Sequence, residues 1–181
     1  MRRFLLIGTL FVLFLIEGTV FQVFAPEHYG FGFQLIPRFV TVIVVMIGMF
    51  MSPAYGVIYG IGFGLLHDLI YTDLVGVYMF GISVAAYIIG YLSKVFQLNW
   101  FTVLVLGLLG VSLVEFYVYE LFSLINVTDV SFHAFFYDRY LPSLILNGVF
   151  LLVIYYPVKQ LLEGLSESRR QENQAKRRSF L

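Results

Sequence analysis

The chain has 181 residues, 60% of them hydrophobic and only 12% charged, and its eleven basic and eleven acidic residues cancel. Soluble domains carry about twice that charged fraction, so a water-coated globule is excluded; lipid, which lets apolar side chains face outward, is the matching solvent. There is no cysteine, hence no disulfide, thiol nucleophile or cysteine-ligated metal.

A helix that crosses the hydrocarbon core needs roughly 20 apolar residues at 1.5 Å rise each. The first such run is 4–24, interrupted by Glu17 and followed by Pro26, which cannot donate a helical hydrogen bond. The second, 37–51, is short. Ser52-Pro53 then makes a tight turn, with Pro53 suited to the first turn of a third run, 54–70. The fourth runs over 74–92, the fifth over 100–125 and the sixth over 140–159, with Pro157 expected to kink or end it. The expectation is one bundle of six transmembrane helices over 1–163, followed by a polar, basic tail, 164–181, that is a frayed helix or disordered. Residues Arg2, Arg3 and Val23-Phe24-Ala25 imitate a secretory signal, but the apolar run between them exceeds the usual signal core of about 7–15 residues. It is read as an uncleaved first span.

Orientation follows from lysine and arginine. With six spans, Arg2, Arg3, Lys94, Lys159, Arg169, Arg170, Lys176, Arg177 and Arg178 share one side, and only Arg38 and Arg139 lie on the other. Five or seven spans would separate the basic ends, so both termini are expected in the cytoplasm. The tail's charges are drawn to anionic lipid at about 1 kcal/mol each. No nucleic-acid module is present.

Four acids fall inside the apolar runs: Glu17, Asp68, Glu115 and Glu120. Each costs about 2.5–3.5 kcal/mol at mid-span. Counted from the outer helix ends they lie about 10, 3, 15 and 7 Å deep, at mid-membrane or in the outer half, where Arg38 and Arg139 also start their helices. A buried polar layer of Glu17, Arg38, Asp68, Glu115, Glu120 and Arg139 follows, with pairing to lower the cost of burial. The alternative is that Arg38, Asp68 and Arg139 snorkel to the interface, and for Arg139 the two readings weigh equally. Glu115 and Glu120, five apart, occupy different helix faces and form no catalytic dyad.

Gly56, Gly60, Gly64 and Asp68 recur every four residues and form one stripe, with Gly76 beyond the next turn. Glycine at this spacing admits a neighbouring helix, either from within the chain, the preferred account, or from a partner. His67 invites a metal or relay reading, but His28 and His133 lie in outer loops and no two histidines have ligand spacing. A polar interfacial role is expected for it. No cofactor and no catalytic constellation are indicated. The aromatic residues near helix ends suit an interfacial belt.

The glycine-striped run ending G-x-x-x-D, with Leu65, Leu66 and then Gly76-Val77-Tyr78, resembles the MreD family of bacterial rod shape-determining proteins, as do the size, the six runs and the basic tail. The resemblance implies a non-enzymatic scaffold in the cytoplasmic membrane that serves peptidoglycan elongation. It further implies MreC, MreB and a glycosyltransferase–transpeptidase pair as partners. It also implies a fold similar to the substrate-binding subunits of energy-coupling-factor vitamin transporters, and so a second reading as a solute-binding subunit. Against that second reading, 4–24 contains no alanine for a small-residue docking face. An intramembrane enzyme built on Glu17, Asp68 and Glu120 ranks third.

Overall fold

The computed structural model describes residues 2–23, 30 and 32–179, and all regular structure among them is helical. The helices are α1 (Arg2–Val23), α2 (Phe39–Phe50), α3 (Pro53–Tyr71), α4 (Val77–Leu92), α5 (Trp100–Leu124), the single turn α6 (Phe132–Ala134) and α7 (Leu141–Ser179). A π-helical stretch, Phe135–Tyr140, joins α6 to α7. Phe24, Ala25, Pro26 and His28, which entered the readings of the first span's end and of a histidine site, lie outside the described residues. Among the described residues, three helical segments are long and apolar enough to cross a membrane: Val77–Val95, Trp100–Leu124 and Phe132–Arg169.

Local signals set several boundaries. Ser52 accepts from the Tyr55 N–H, and Pro53 occupies the first turn of α3. Asn99 caps α5 through the Thr102 N–H at 2.8 Å. Gly76, at φ 109°, takes the left-handed turn that reverses the chain into α4.

The last helix departs from expectation. Pro157 does not end it, and α7 runs for 39 residues, continuing as helix through most of 164–181. Leu162 and Leu165 are buried against the bundle, and the residues beyond them are mostly good helix formers. That packing carries the helix past the missing proline N–H.

At the centre is α2, which packs against α1, α3, α4, α5 and α7. Every side chain from Phe39 to Met49 is buried. At 12 residues it is only about 18 Å long. The non-helical segment before it, 33–38, can reach about 20 Å further. Irregular backbone at membrane depth is tolerated where protein covers it and satisfies its polar groups. Here α7 does so: Ser143 Oγ accepts from the Ile36 N–H (2.9 Å), and Asn147 Nδ2 donates to the Ile36 carbonyl (3.1 Å). The Gln34 N–H donates to the Asp138 carbonyl at 2.6 Å.

The α3 glycine stripe is filled from within the chain. A Cβ on Gly56 would lie 3.0 Å from the Ala86 Cβ, one on Gly60 2.8 Å from the Ser83 Cα, and one on Gly64 2.5 Å from the Met79 Cα. These contacts descend α4 in antiparallel order, so the two backbones nearly touch along the hairpin. Gly48 of α2 and Gly90 of α4 extend the close packing on the neighbouring face.

Candidate functional site

The stripe's fourth member, Asp68, reaches the start of α4. Its Oδ2 accepts from the Gly76 and Met79 N–H groups (2.9 and 3.0 Å) and its Oδ1 from the Tyr78 N–H (2.8 Å). The first N–H groups of a helix have no partner within it, and the N-terminus carries about half a positive charge. A carboxylate supplied from the preceding helix meets both needs. Asp68 is therefore wholly buried and does not snorkel.

A second carboxylate treats α2 in the same way. Arg38, at the N-cap, provides no side-chain cap, and Glu17 of α1 instead accepts from the Val40 N–H at 2.7 Å. The other Glu17 oxygen lies 4.0 Å from His67 Nε2. The His67 ring is enclosed by Phe14, Tyr71 and Tyr78, with centroids 5.1–5.4 Å away. Its Nδ1 is buried without a hydrogen-bond partner. His67 is thus a core residue and not an interfacial one, because its helical position faces α1 and α4.

The third carboxylate, Glu115, sits in the middle of α5. Arg38 Nε donates to Glu115 Oε1 at 2.5 Å, and Arg38 Nη2 to the Tyr78 hydroxyl at 2.9 Å. The Arg38 backbone N–H donates to Asn147 Oδ1 at 2.7 Å. Arg139 approaches Glu115 Oε2 from the π-helical stretch, at 3.5 Å. That distance makes an ion pair but leaves Glu115 Oε2 and Arg139 Nε without hydrogen-bond partners.

Glu17, Arg38, Asp68, Glu115 and Arg139 therefore belong to one layer around the starts of α2 and α4. Glu120 does not: five residues on from Glu115 it has rotated off the inward face and is exposed. Three carboxylates face two guanidiniums and two helix N-termini, each worth about half a charge, so the layer is close to neutral. Glu17, Arg38, Asp68 and Glu115 are each engaged by a helix end or a counter-ion, whereas Arg139 makes only the longer ion pair. Among the described residues of this layer, no nucleophile, base and oxyanion donor converge on an open position. Among the described residues no group of three or more histidines and acids could hold a metal ion.

Sequence reasoning missed Ser143, Asn147 and Tyr78 as members of this layer. Asn147, fully buried, was the available signal: an amide in the middle of an apolar run needs partners. Tyr78, near a helix end where aromatic residues suit an interfacial belt, is instead buried and bonded to Arg38.

Beside the layer lies a cavity of about 440 Å³, lined by Phe33, Val118, Tyr119, Phe122, Phe135 and Arg139 among others.

The family model for rod shape-determining protein MreD matches residues 2–165. The rod shape-determining protein MreD of Bacillus subtilis (strain 168) is 33% identical over 175 residues, covering 95% of this chain and 100% of that protein. No solved structure matches the chain.

Proposed function

The chain belongs to the MreD family of rod shape-determining proteins, and from that premise we propose that it is a non-enzymatic, multi-pass scaffold of the wall-elongation machinery. In this reading it acts in the cytoplasmic membrane with MreC, the glycosyltransferase–transpeptidase pair and, directly or through them, MreB. The observation that carries it is the buried layer, in which Glu17, Arg38, Asp68 and Glu115 are engaged by helix ends and by one another. Such a layer supports a rigid body that presents fixed helix faces to neighbours. Depletion of the protein should convert rods to rounded cells with misplaced wall insertion, and crosslinking in native membranes should recover wall-synthesis proteins. Unchanged rods after depletion would end the proposal.

Six crossings with both termini inside belong to the same reading. They are supported by the one-sided distribution of lysine and arginine, and by segment 33–38, which lengthens the short α2 and has its backbone bonded by Asp138, Ser143 and Asn147. The chain has no cysteine, so single cysteines report topology directly. A membrane-impermeant maleimide on intact cells should label Asp129→Cys and spare Gln97→Cys. The reverse pattern is incompatible with this topology.

The second reading, a solute-binding subunit with the energy-coupling-factor fold, is favoured by one observation, the cavity of about 440 Å³. It requires a vitamin-like solute to remain on the purified protein in stoichiometric amount.

A further inference from the structure

We propose that the cavity between α5 and the α6–π segment holds the head group of a membrane phospholipid, its phosphodiester on Arg139 and its acyl chains along the apolar rim. The inference rests on the protein's being membrane-embedded and is independent of its role in cell shape.

Volume comes first. About 440 Å³ lies within the range of small-molecule sites, roughly 300–1,000 Å³, and suits a head group with the first carbons of its chains. The wall is stiff: Tyr119 and Phe135 stack with centroids 4.0 Å apart, and the Tyr119 hydroxyl donates to the Val130 carbonyl at 3.1 Å, fixing the loop that forms one edge.

Charge comes second. Glu115 is engaged tightly by Arg38, at 2.5 Å, and only loosely by Arg139, at 3.5 Å. Arg139 therefore keeps donor capacity, its side chain is 31% exposed, and it lines the cavity. A guanidinium with unspent donors beside apolar walls suits the oxygens of a phosphodiester. Asp138 lines the same cavity and is exposed. Its carboxylate disfavours a bare or doubly charged phosphate and accepts from a hydroxyl or ammonium, so the fitting head groups are phosphoglycerol and phosphoethanolamine.

Backbone and rim come third. Both charged residues sit on a π-helical stretch, a rare conformation that is frequent at functional sites. Val130 lines the cavity and is exposed, and its chain neighbours Val127 and Phe132, with Tyr137 next to Asp138, are exposed and apolar as well. Exposed apolar side chains in this segment suit hydrocarbon, which favours a lipid over a water-soluble anion.

The test is mass spectrometry of the full-length protein released from nanodiscs containing phosphatidylglycerol, phosphatidylethanolamine and phosphatidylcholine. One phosphatidylglycerol or phosphatidylethanolamine should be retained per chain, in preference to phosphatidylcholine, whose head group has no donor. Arg139→Gln should lower retention about tenfold, the loss of roughly one charge-assisted hydrogen bond, and Arg139→Lys should lower it less. Because Arg139→Gln also disturbs Glu115, Val130→Trp serves as a second variant: it fills the opening, leaves the buried layer intact and should abolish retention without lowering the melting temperature. Equal retention of all three lipids, or retention unaffected by Val130→Trp, would overturn the proposal. So would glycerol phosphate alone protecting as well as the whole lipid, or a co-purified water-soluble solute in the cavity.

Discussion

Arg38 and Glu115, 77 positions apart in the chain, meet Nε to Oε1 at 2.5 Å with side chains only 5% and 1% exposed. The same arginine bonds Tyr78 of α4 through its guanidinium and Asn147 of α7 through its backbone N–H. One residue at the start of the central helix thus joins it to α4, α5 and α7. A charge is useful in that position because it can bind several polar groups at once, and costly because each must be present.

Removing the counter-ion should expose that cost. Glu115→Gln leaves two guanidiniums facing each other without a carboxylate, and the expected loss is about 3–5 kcal/mol, measured as a lower unfolding midpoint in detergent. An Arg38→Met/Glu115→Leu double variant should be more stable than either single variant, since it removes both charges together. Additive losses in the double-mutant cycle would show that the two residues are not coupled.

The α3–α4 hairpin predicts a contrast between two glycines two residues apart. Gly60→Leu must push Ser83 away and separate the helices, at a cost of about 1–3 kcal/mol or more. At Gly62 an added Cβ meets nothing within 4 Å, so Gly62→Ala should be neutral or stabilising by up to about 1 kcal/mol. Thermal melts of the two variants check this, and Gly60→Leu alone should fail to restore rod shape in depleted cells.

Asp68→Ala leaves the Gly76, Tyr78 and Met79 N–H groups without their acceptor. A loss of about 2 kcal/mol is expected, at the upper end for a helix cap. Hydrogen exchange should accelerate at those three amides before it does so elsewhere in α4. Uniform acceleration along the helix would mean that the carboxylate is not a local cap.

Asn147→Leu keeps the side chain's bulk but removes the partners of the Arg38 N–H and the Ile36 carbonyl. Segment 33–38 should then open locally, seen as new proteolytic cleavage between Phe33 and Arg38 while α5 remains protected. Ser143→Ala, which removes a single acceptor, should produce a weaker version of the same pattern, worth about 1 kcal/mol.

Much of this was written in the order of residues. The runs 54–70 and 100–125 differ from α3 and α5 by a residue at one or both ends, because apolar length and the Ser52-Pro53 turn are local signals. That Glu17, Arg38, Asp68, Glu115 and Arg139 could share a layer was readable from their distances to the ends of the apolar runs at a fixed rise per residue. Other features depended on contacts between distant segments. Pro157 argued for a break in α7, yet the packing of Leu162 and Leu165 outweighed it. The π-helical register of Phe135–Tyr140 is a tertiary outcome that no periodicity announces. Glu120 is exposed because burial depends on the angle around the helix as well as on depth, and its face differs from that of Glu115. Asn147 and Ser143 became significant only once 33–38 was seen to need partners for its backbone.

The position of α2 has a consequence for how the chain is made. It emerges from the ribosome early, long before Glu115 and Asn147 exist, and it presents no side to lipid in the finished bundle. A nascent chain must therefore hold this segment provisionally, its arginine still hydrated at the membrane surface. Maturation completes only when α5 and α7 arrive to receive it. Chains that stop short of Asn147 should remain immature and be cleared by membrane proteases, so that cells accumulate either whole protein or none.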